Sequence, residues 1–259
     1  MTIDYSQAAS RNLHKTYFAL GRATPGSQCI HEPGFEACLG AFNHPICNFA
    51  ANLQLDPWVA HRLAELAVSQ GVFNVYSLPG DKPNDQSLRD ELLVRAGFRR
   101  NYGLRQMLFD AKPTGLGVAL ERAENLHERE IVATFMAGIF FGRHPHDFRR
   151  RVAESTLAAT ELDLYSLSIR GDLTAAVMVA RDDEIHGLFN LCVRPAARGQ
   201  GLGKAIVEEV VKEAYKEGKP VTLQCDEILS PWYEGQGFAV SGAVDVYSLP
   251  DERRIAIIK

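Results

Sequence analysis

The sequence predicts a mixed α/β fold, with short strands alternating with amphipathic helices. Three observations carry that prediction. Strand-like runs include 72–78, rich in β-branched and aromatic residues between Gly71 and Pro79, and 99–109, which alternates loosely after Gly97. Between such runs lie helix-period stretches, clearest over 202–216. There Leu202, Ile206, Val207, Val210, Val211 and Ala214 form one face, and Lys204, Glu208, Glu209, Lys212, Glu213 and Lys216 the other. Finally, a helix–strand–helix order recurs, each time followed by Gly-Phe (Gly97-Phe98 and Gly237-Phe238) and a long strand, 140 positions apart.

In chain order, 5–20 has helical spacing of Ala8, Leu13, Tyr17 and Leu20 and is closed by Gly21, Pro25 and Gly26. Segments 27–31, 35–42 and 46–53 read as a strand meander, broken at Pro33-Gly34 and Asn43-His44-Pro45. Asp56 and Pro57 have the chemistry of an N-cap and a first helical residue. The helix they open is stopped by Gly71. Strand 72–78, helix 86–96 and strand 99–109 follow. The linker candidate is Lys112-Pro113-Thr114-Gly115, and it divides the chain into residues 1–113 and 114–259. Beyond it the pattern restarts with strand 118–122, helices 128–141 and 146–159, and strands 164–170, 173–181 and 184–193. Gly171-Asp172 and Asp182-Asp183 join these three strands as hairpins. Helix 202–216, strand 221–225, short helix 229–234 and strands 239–249 and 254–259 complete the chain.

Composition narrows the function classes. The 259 residues allow one large domain or two small ones. The net charge of −4 gives no electrostatic case for nucleic acid or an anionic membrane. The charge is +1 over 1–113 and −5 over 114–259. Residues 1–23 do not read as a secretory signal, and the longest apolar-looking run, 131–142, falls short of the ~20 residues that span a bilayer. Five cysteines without a paired framework fit reduced thiols, so a cytoplasmic location is expected. Cys29, Cys38 and Cys47 lie near His31 and His44, but they lack a C-x-x-C pair and fall in three apolar strands. They read as core thiols, and no metal is expected.

The chemistry concentrates in Leu191-Cys192-Val193-Arg194-Pro195-Ala196-Ala197-Arg198-Gly199-Gln200-Gly201-Leu202-Gly203-Lys204. A strand ends there, a short loop follows, and the long amphipathic helix begins. Amides at such a helix start lack intrahelical partners and, with the helix dipole, suit a phosphate. Gly199, Gly201 and Gly203 keep Cβ atoms out of the way, and Arg198 adds a fixed positive charge. The spacing G-x-G-x-G is not the dinucleotide fingerprint G-x-G-x-x-G, and no acidic residue stands about 20 positions on. Lys204 lacks the glycine spacing and following hydroxyl of a P-loop.

These residues resemble the coenzyme A loop of the GNAT N-acetyltransferase superfamily, (Gln/Arg)-x-x-Gly-x-(Gly/Ala). A second family signature, Tyr-x-x-x-Gly-Phe, is matched by Tyr233-Glu234-Gly235-Gln236-Gly237-Phe238. The resemblance covers 117–259 in element order. It implies a mixed, mostly antiparallel twisted sheet flanked by helices, with a degenerate GNAT-like copy in 1–113 and the catalytic domain in 114–259. It also implies acetyl-CoA as donor, with its pyrophosphate on the amides of Arg198, Gly199, Gln200, Gly201, Leu202, Gly203 and Lys204. The pantetheine arm would pair with the backbone of Leu191, Cys192 and Val193. The reaction implied is direct transfer of the acetyl group to a primary amine of a small molecule or peptide, with Tyr233 as proton donor to the leaving thiolate. For the general base the candidates are Glu184 and His186, which share strand parity. Cys225 reads as packing, and Asp226 stands where the family often has Asn. The loop at Leu53-Gln54-Leu55-Asp56-Pro57 has no glycine, so the first half is expected to lack a phosphate cradle. A non-catalytic acyl-CoA sensor is the competing reading, and a monomer or homodimer is expected.

Overall fold

Residues 4–40, 47–70 and 72–250 are described by the computed structural model, and one sheet of eleven strands runs through them. The expected helix stop at Gly71, the turn with His44 and the strand 254–259 lie outside the described residues.

Helix α1 (Tyr5–Ala23) begins at Asp4, whose carboxylate accepts the amides of Ser6 and Gln7. Strands β1 (Gln28–Glu32) and β2 (Phe35–Leu39) form a hairpin that β3 (Phe49–Ala51) extends. Helix α2 (Pro57–Ser69) is capped by Asp56, as its sequence predicts; the side chain accepts the Val59 amide at 2.7 Å. Strand β4 (Asn74–Ser77), helix α3 (Gln86–Arg95) and strand β5 (Arg99–Phe109) complete the first half. The second half runs β6 (Glu121–Arg122), α4 (Leu126–Phe140), α5 (His146–Ala158), β7 (Asp163–Ile169), β8 (Asp172–Arg181), β9 (His186–Val193), α6 (Leu202–Lys216), β10 (Val221–Cys225), α7 (Ser230–Glu234) and β11 (Ala239–Ser248). Helix α4 starts two residues earlier than its periodicity suggests, because Asn125 and Glu128 form a reciprocal capping box.

The strand order is β1-β2-β3-β4-β11-β5-β10-β9-β8-β7-β6. The two long strands that follow the Gly-Phe pairs therefore meet at the centre of the sheet, and each is flanked by a strand of the other half. They run antiparallel, with Ala239 opposite Leu108 and Ser248 opposite Arg99. The 140-residue offset carries one of these pairs onto the other, position 99 onto 239 and 108 onto 248, so the two long strands cross about a local dyad. The exchange extends into the packing. Met107 and Phe109 of β5 are buried with Ile206, Val211 and Leu223 beneath α6. Tyr247 of β11 is buried with Leu63, Phe73 and Leu93 beneath α2. A third cluster, with Leu13, Phe49, Met136 and Met178, fills the opposite face under α1 and α4. The long strands thus bury apolar surface in the partner half's core, which is the main driving force holding the halves together.

Asp81 locks the first half's turns. Its carboxylate accepts the amides of Leu53 at 3.0 Å and Leu78 at 2.7 Å, and the residue is 5% exposed. Asp81→Ala leaves two buried donors without acceptors, so we expect a loss of about 2–4 kcal/mol in chemical denaturation. A change below about 0.5 kcal/mol, the usual surface range, would show that water replaces the carboxylate.

Candidate active site

The site forms where β9 and β10 part. They pair in parallel only at His186 opposite Val221 and Gly187 opposite Thr222. Beyond that point β9 continues to Val193 with no strand partner on this side, so its backbone edge is open. On its other edge, β9 pairs with β8 through an irregularity: Phe189 opposes Met178 and Cys192 opposes Ala176, with Asn190 at φ +50° between them. This bulge changes which residues face which layer. Leu188 packs beneath α6 and Phe189 beneath α1 and α4, whereas after the bulge Leu191 and Val193 pack beneath α6 and Cys192 faces α4.

After β9 a single 3-10 turn at Pro195–Ala197 leads into the glycine loop. Gly199 and Gly201 have φ of +77° and +79°, and a Cβ built on either would meet no atom within 4 Å. Gly201 is the residue before α6, and no side chain caps that helix. The first amides of α6 therefore remain available to a ligand. The corresponding place in the first half is closed. Asp56 caps α2, Gln54 N–H donates to Gly34 O, and Leu55 N–H donates to Lys82 O.

The fork and the loop enclose a cleft of about 760 Å³. Leu191, Cys192, Val193, Arg198, Gly199, Gly201, Leu202, Gly203 and Lys204 all line it, as does Tyr233 of α7. Gln200 lies in the loop but is not among the lining residues. Arg198 Nε donates to Val193 O at 3.1 Å, which ties the loop to the strand end. Sequence reasoning missed the opposite walls: Ile139 and Phe140 at the end of α4, and Leu229 and Trp232 beside Tyr233. Phe140 is 47% exposed and Trp232 42%, an exposure that becomes visible only once the helices are placed. A Cβ on Gly203 would touch Trp232 at 3.6 Å, so α6 and α7 approach closely here.

Tyr233 is 8% exposed, with its ring edge-on to Phe238 at 5.7 Å and to Trp232 at 4.7 Å. Burial, helped by nearby Cys225 and Asp226, pushes its hydroxyl up to about 12, so it stays protonated in neutral solution. Burial likewise pushes the Cys192 thiol up to about 12 and the Cys225 thiol up to about 11. Both are neutral thiols, without the thiolate a nucleophile needs.

Glu184 and His186 do not join this cleft. Glu184 lies in the hairpin before β9 and pairs with Arg11 of α1 on the surface. His186 is 2% exposed at the closed base of the fork, where Nε2 lies 3.2 Å from a Glu217 carboxylate oxygen just past α6. It lines a separate cavity with Tyr165, Arg181 and Glu213, and burial lowers its pKa. Equal parity sets a shared face, not a position along the strand. At roughly 3.3 Å per residue, β9 carries the glycine loop about 20 Å from His186. No helix of the described residues is long and apolar enough to cross a membrane.

Residues 161–240 match the family model of the acetyltransferase (GNAT) domain. No curated protein matches the sequence. Among solved structures, the chain is similar to a GCN5-related N-acetyltransferase from Kribbella flavida, with a TM-score of 0.64 and 14% identity over 93% of this chain and 95% of that one. A putative GNAT-family acetyltransferase from Novosphingobium aromaticivorans superposes with a TM-score of 0.57 at 16% identity, over 86% of this chain and 91% of that one. A tandem GNAT protein from the clavulanic acid biosynthesis pathway gives 0.55 at 14% identity, over 82% and 77%. The chain therefore has the GNAT fold, and residues 161–240 match the model of that superfamily's acetyltransferase domain.

Proposed function

We propose that the chain is an acyl-CoA-dependent N-acyltransferase, with one active cleft in residues 114–259 and a GNAT-like half, residues 1–113, that lacks its own cofactor loop. The observation that carries this reading is the pairing of an open β9 edge with an uncapped α6 that begins at two left-handed glycines. The donor supplies a reactive thioester, and the chain's residues hold and orient it. The Arg198 amide already donates to Pro195 O, so the amides from Gly199 to Lys204 take the pyrophosphate, with the Arg198 and Lys204 side chains as charge partners. The exposed backbone of Leu191 to Val193 pairs with the pantetheine arm as an added strand. An amine forms the new C–N bond, the C–S bond breaks, and the amine's surplus proton leaves to water. Tyr233 lines the same cleft, and its hydroxyl protonates the leaving thiolate and regains a proton from water.

The asymmetry of the two halves supports their division of labour. Where the second half opens a loop to a ligand, the first fills the same place with Asp56 and backbone hydrogen bonds.

The test is a titration with acetyl-CoA, followed by assay of coenzyme A release across a panel of primary amines. Trp232 lines the cleft, and Trp58 on α2 is the only other tryptophan, so binding is expected to change Trp232 emission and leave a Trp232→Phe variant silent. Turnover with any amine supports the enzyme. Binding without release on the whole panel would favour the acyl-CoA sensor.

A further inference from the structure

A second pocket adjoins the cleft on the other side of Phe140. It has a volume of about 110 Å³ and is lined by α1, α4, α5 and the β9 bulge. Its walls include Leu20, Met136, Phe140, Phe141 and Val152, with Asn190 contributed by the bulge itself. Phe140 lines both spaces, and Asn190 immediately precedes Leu191 of the cleft. The pocket therefore meets β9 one residue before the first β9 residue that lines the cleft.

The chemistry of the walls selects the occupant. The hydroxyls in the lining are already engaged: Ser155 Oγ donates to Arg151 O, and Thr156 Oγ1 donates to Val152 O. Cys47 Sγ lies 3.3 Å from Thr24 Oγ1, and burial keeps its thiol neutral. No carboxylate, lysine, arginine or histidine is among the described lining residues. A cationic amine entering here would lose its hydration and meet no countercharge, with the Asn190 amide as the one uncommitted polar group among the described lining residues, whereas an alkyl chain would gain from the apolar remainder. An apolar cavity of roughly 150 Å³ holds one benzene ring, so this one holds about four carbon atoms.

We propose that this pocket receives the alkyl tail of the acyl donor, making the chain selective for short-chain acyl-CoA thioesters longer than acetyl. The inference rests on the acyl-CoA reading of the cleft. The first half of the chain would then contribute to donor selection, since Leu20 and Cys47 form part of the wall.

Calorimetric titration of the full chain with coenzyme A and its acetyl, propionyl, butyryl and octanoyl thioesters tests it. Each methylene buried is worth about 0.8 kcal/mol, so affinity is expected to rise about fourfold per carbon from acetyl to butyryl and to fall at octanoyl. Ala137→Leu fills the pocket and is expected to erase the butyryl preference while leaving free coenzyme A affinity unchanged. Val152→Ala enlarges it and shifts the optimum to a longer chain, which keeps the test intact if Ala137→Leu fails to fold. Coenzyme A binding with equal affinity for all four thioesters overturns the pocket assignment alone. So does a butyryl preference that survives in a folded Ala137→Leu protein. Failure of coenzyme A itself to bind overturns the reading of the cleft, and the donor assignment with it.

Discussion

Gly201→Val is expected to weaken coenzyme A binding by at least about 100-fold, measured by calorimetry on folded protein. Two effects combine. At φ +79° a β-branched residue is strained by roughly 1–3 kcal/mol. The new side chain also enters space that the protein leaves empty at the start of α6, where the ligand's pyrophosphate would approach the amides. Gly218→Val separates the two. Gly218 follows the far end of α6 at φ +69°, also has no atom within 4 Å of a Cβ, and lines no part of the cleft. It should therefore lose stability but keep its affinity. Unchanged affinity in Gly201→Val, or equal losses in the two variants, would remove the loop from the binding site.

Tyr233→Phe is expected to lower kcat by about 100-fold or more while moving coenzyme A affinity by less than about threefold. The ring contacts with Phe238 and Trp232 do not need the hydroxyl, so the fold and the cleft wall persist. The pH profile provides a second readout. A phenol pushed up to about 12 remains a competent donor throughout the accessible range, because its neutral form dominates below that value. The wild-type rate should rise with pH as the acceptor amine loses its proton, with no falling limb below about pH 11. The Phe variant should keep that shape at a lower level. A turnover equal to wild type would show that water, rather than Tyr233, protonates the thiolate.

Local chemistry was legible in the sequence wherever a structural feature needs only neighbours along the chain. Helix 202–216 and strands 99–109 and 221–225 stand at the bounds their periodicity predicts. The Asp56–Pro57 cap depends on a few adjacent residues and stands where the sequence places it. The site's far wall was not legible. Ile139, Phe140 and Trp232 reach the cleft only because α4 and α7 dock there, and nothing at those positions alone marks that contact. The base candidates Glu184 and His186 lie outside the cleft for a related reason. Alternation along a strand gives a face, whereas the fork between β9 and β10 sets where that face is open.

The sequence by itself determined the order of elements, the glycine-rich loop before α6 and the lack of such a loop in the first half. Each follows from side-chain pattern and backbone freedom within a short window. Only the tertiary structure decided that β5 and β11 exchange places at the centre of one sheet, that the β9 bulge turns Asn190 toward a separate apolar pocket, and that His186 is sealed away from the cleft. Strand partners are chosen by where buried surface and open edges meet in three dimensions. That free energy is distributed over residues distant in sequence, such as Met107 beneath α6 and Tyr247 beneath α2.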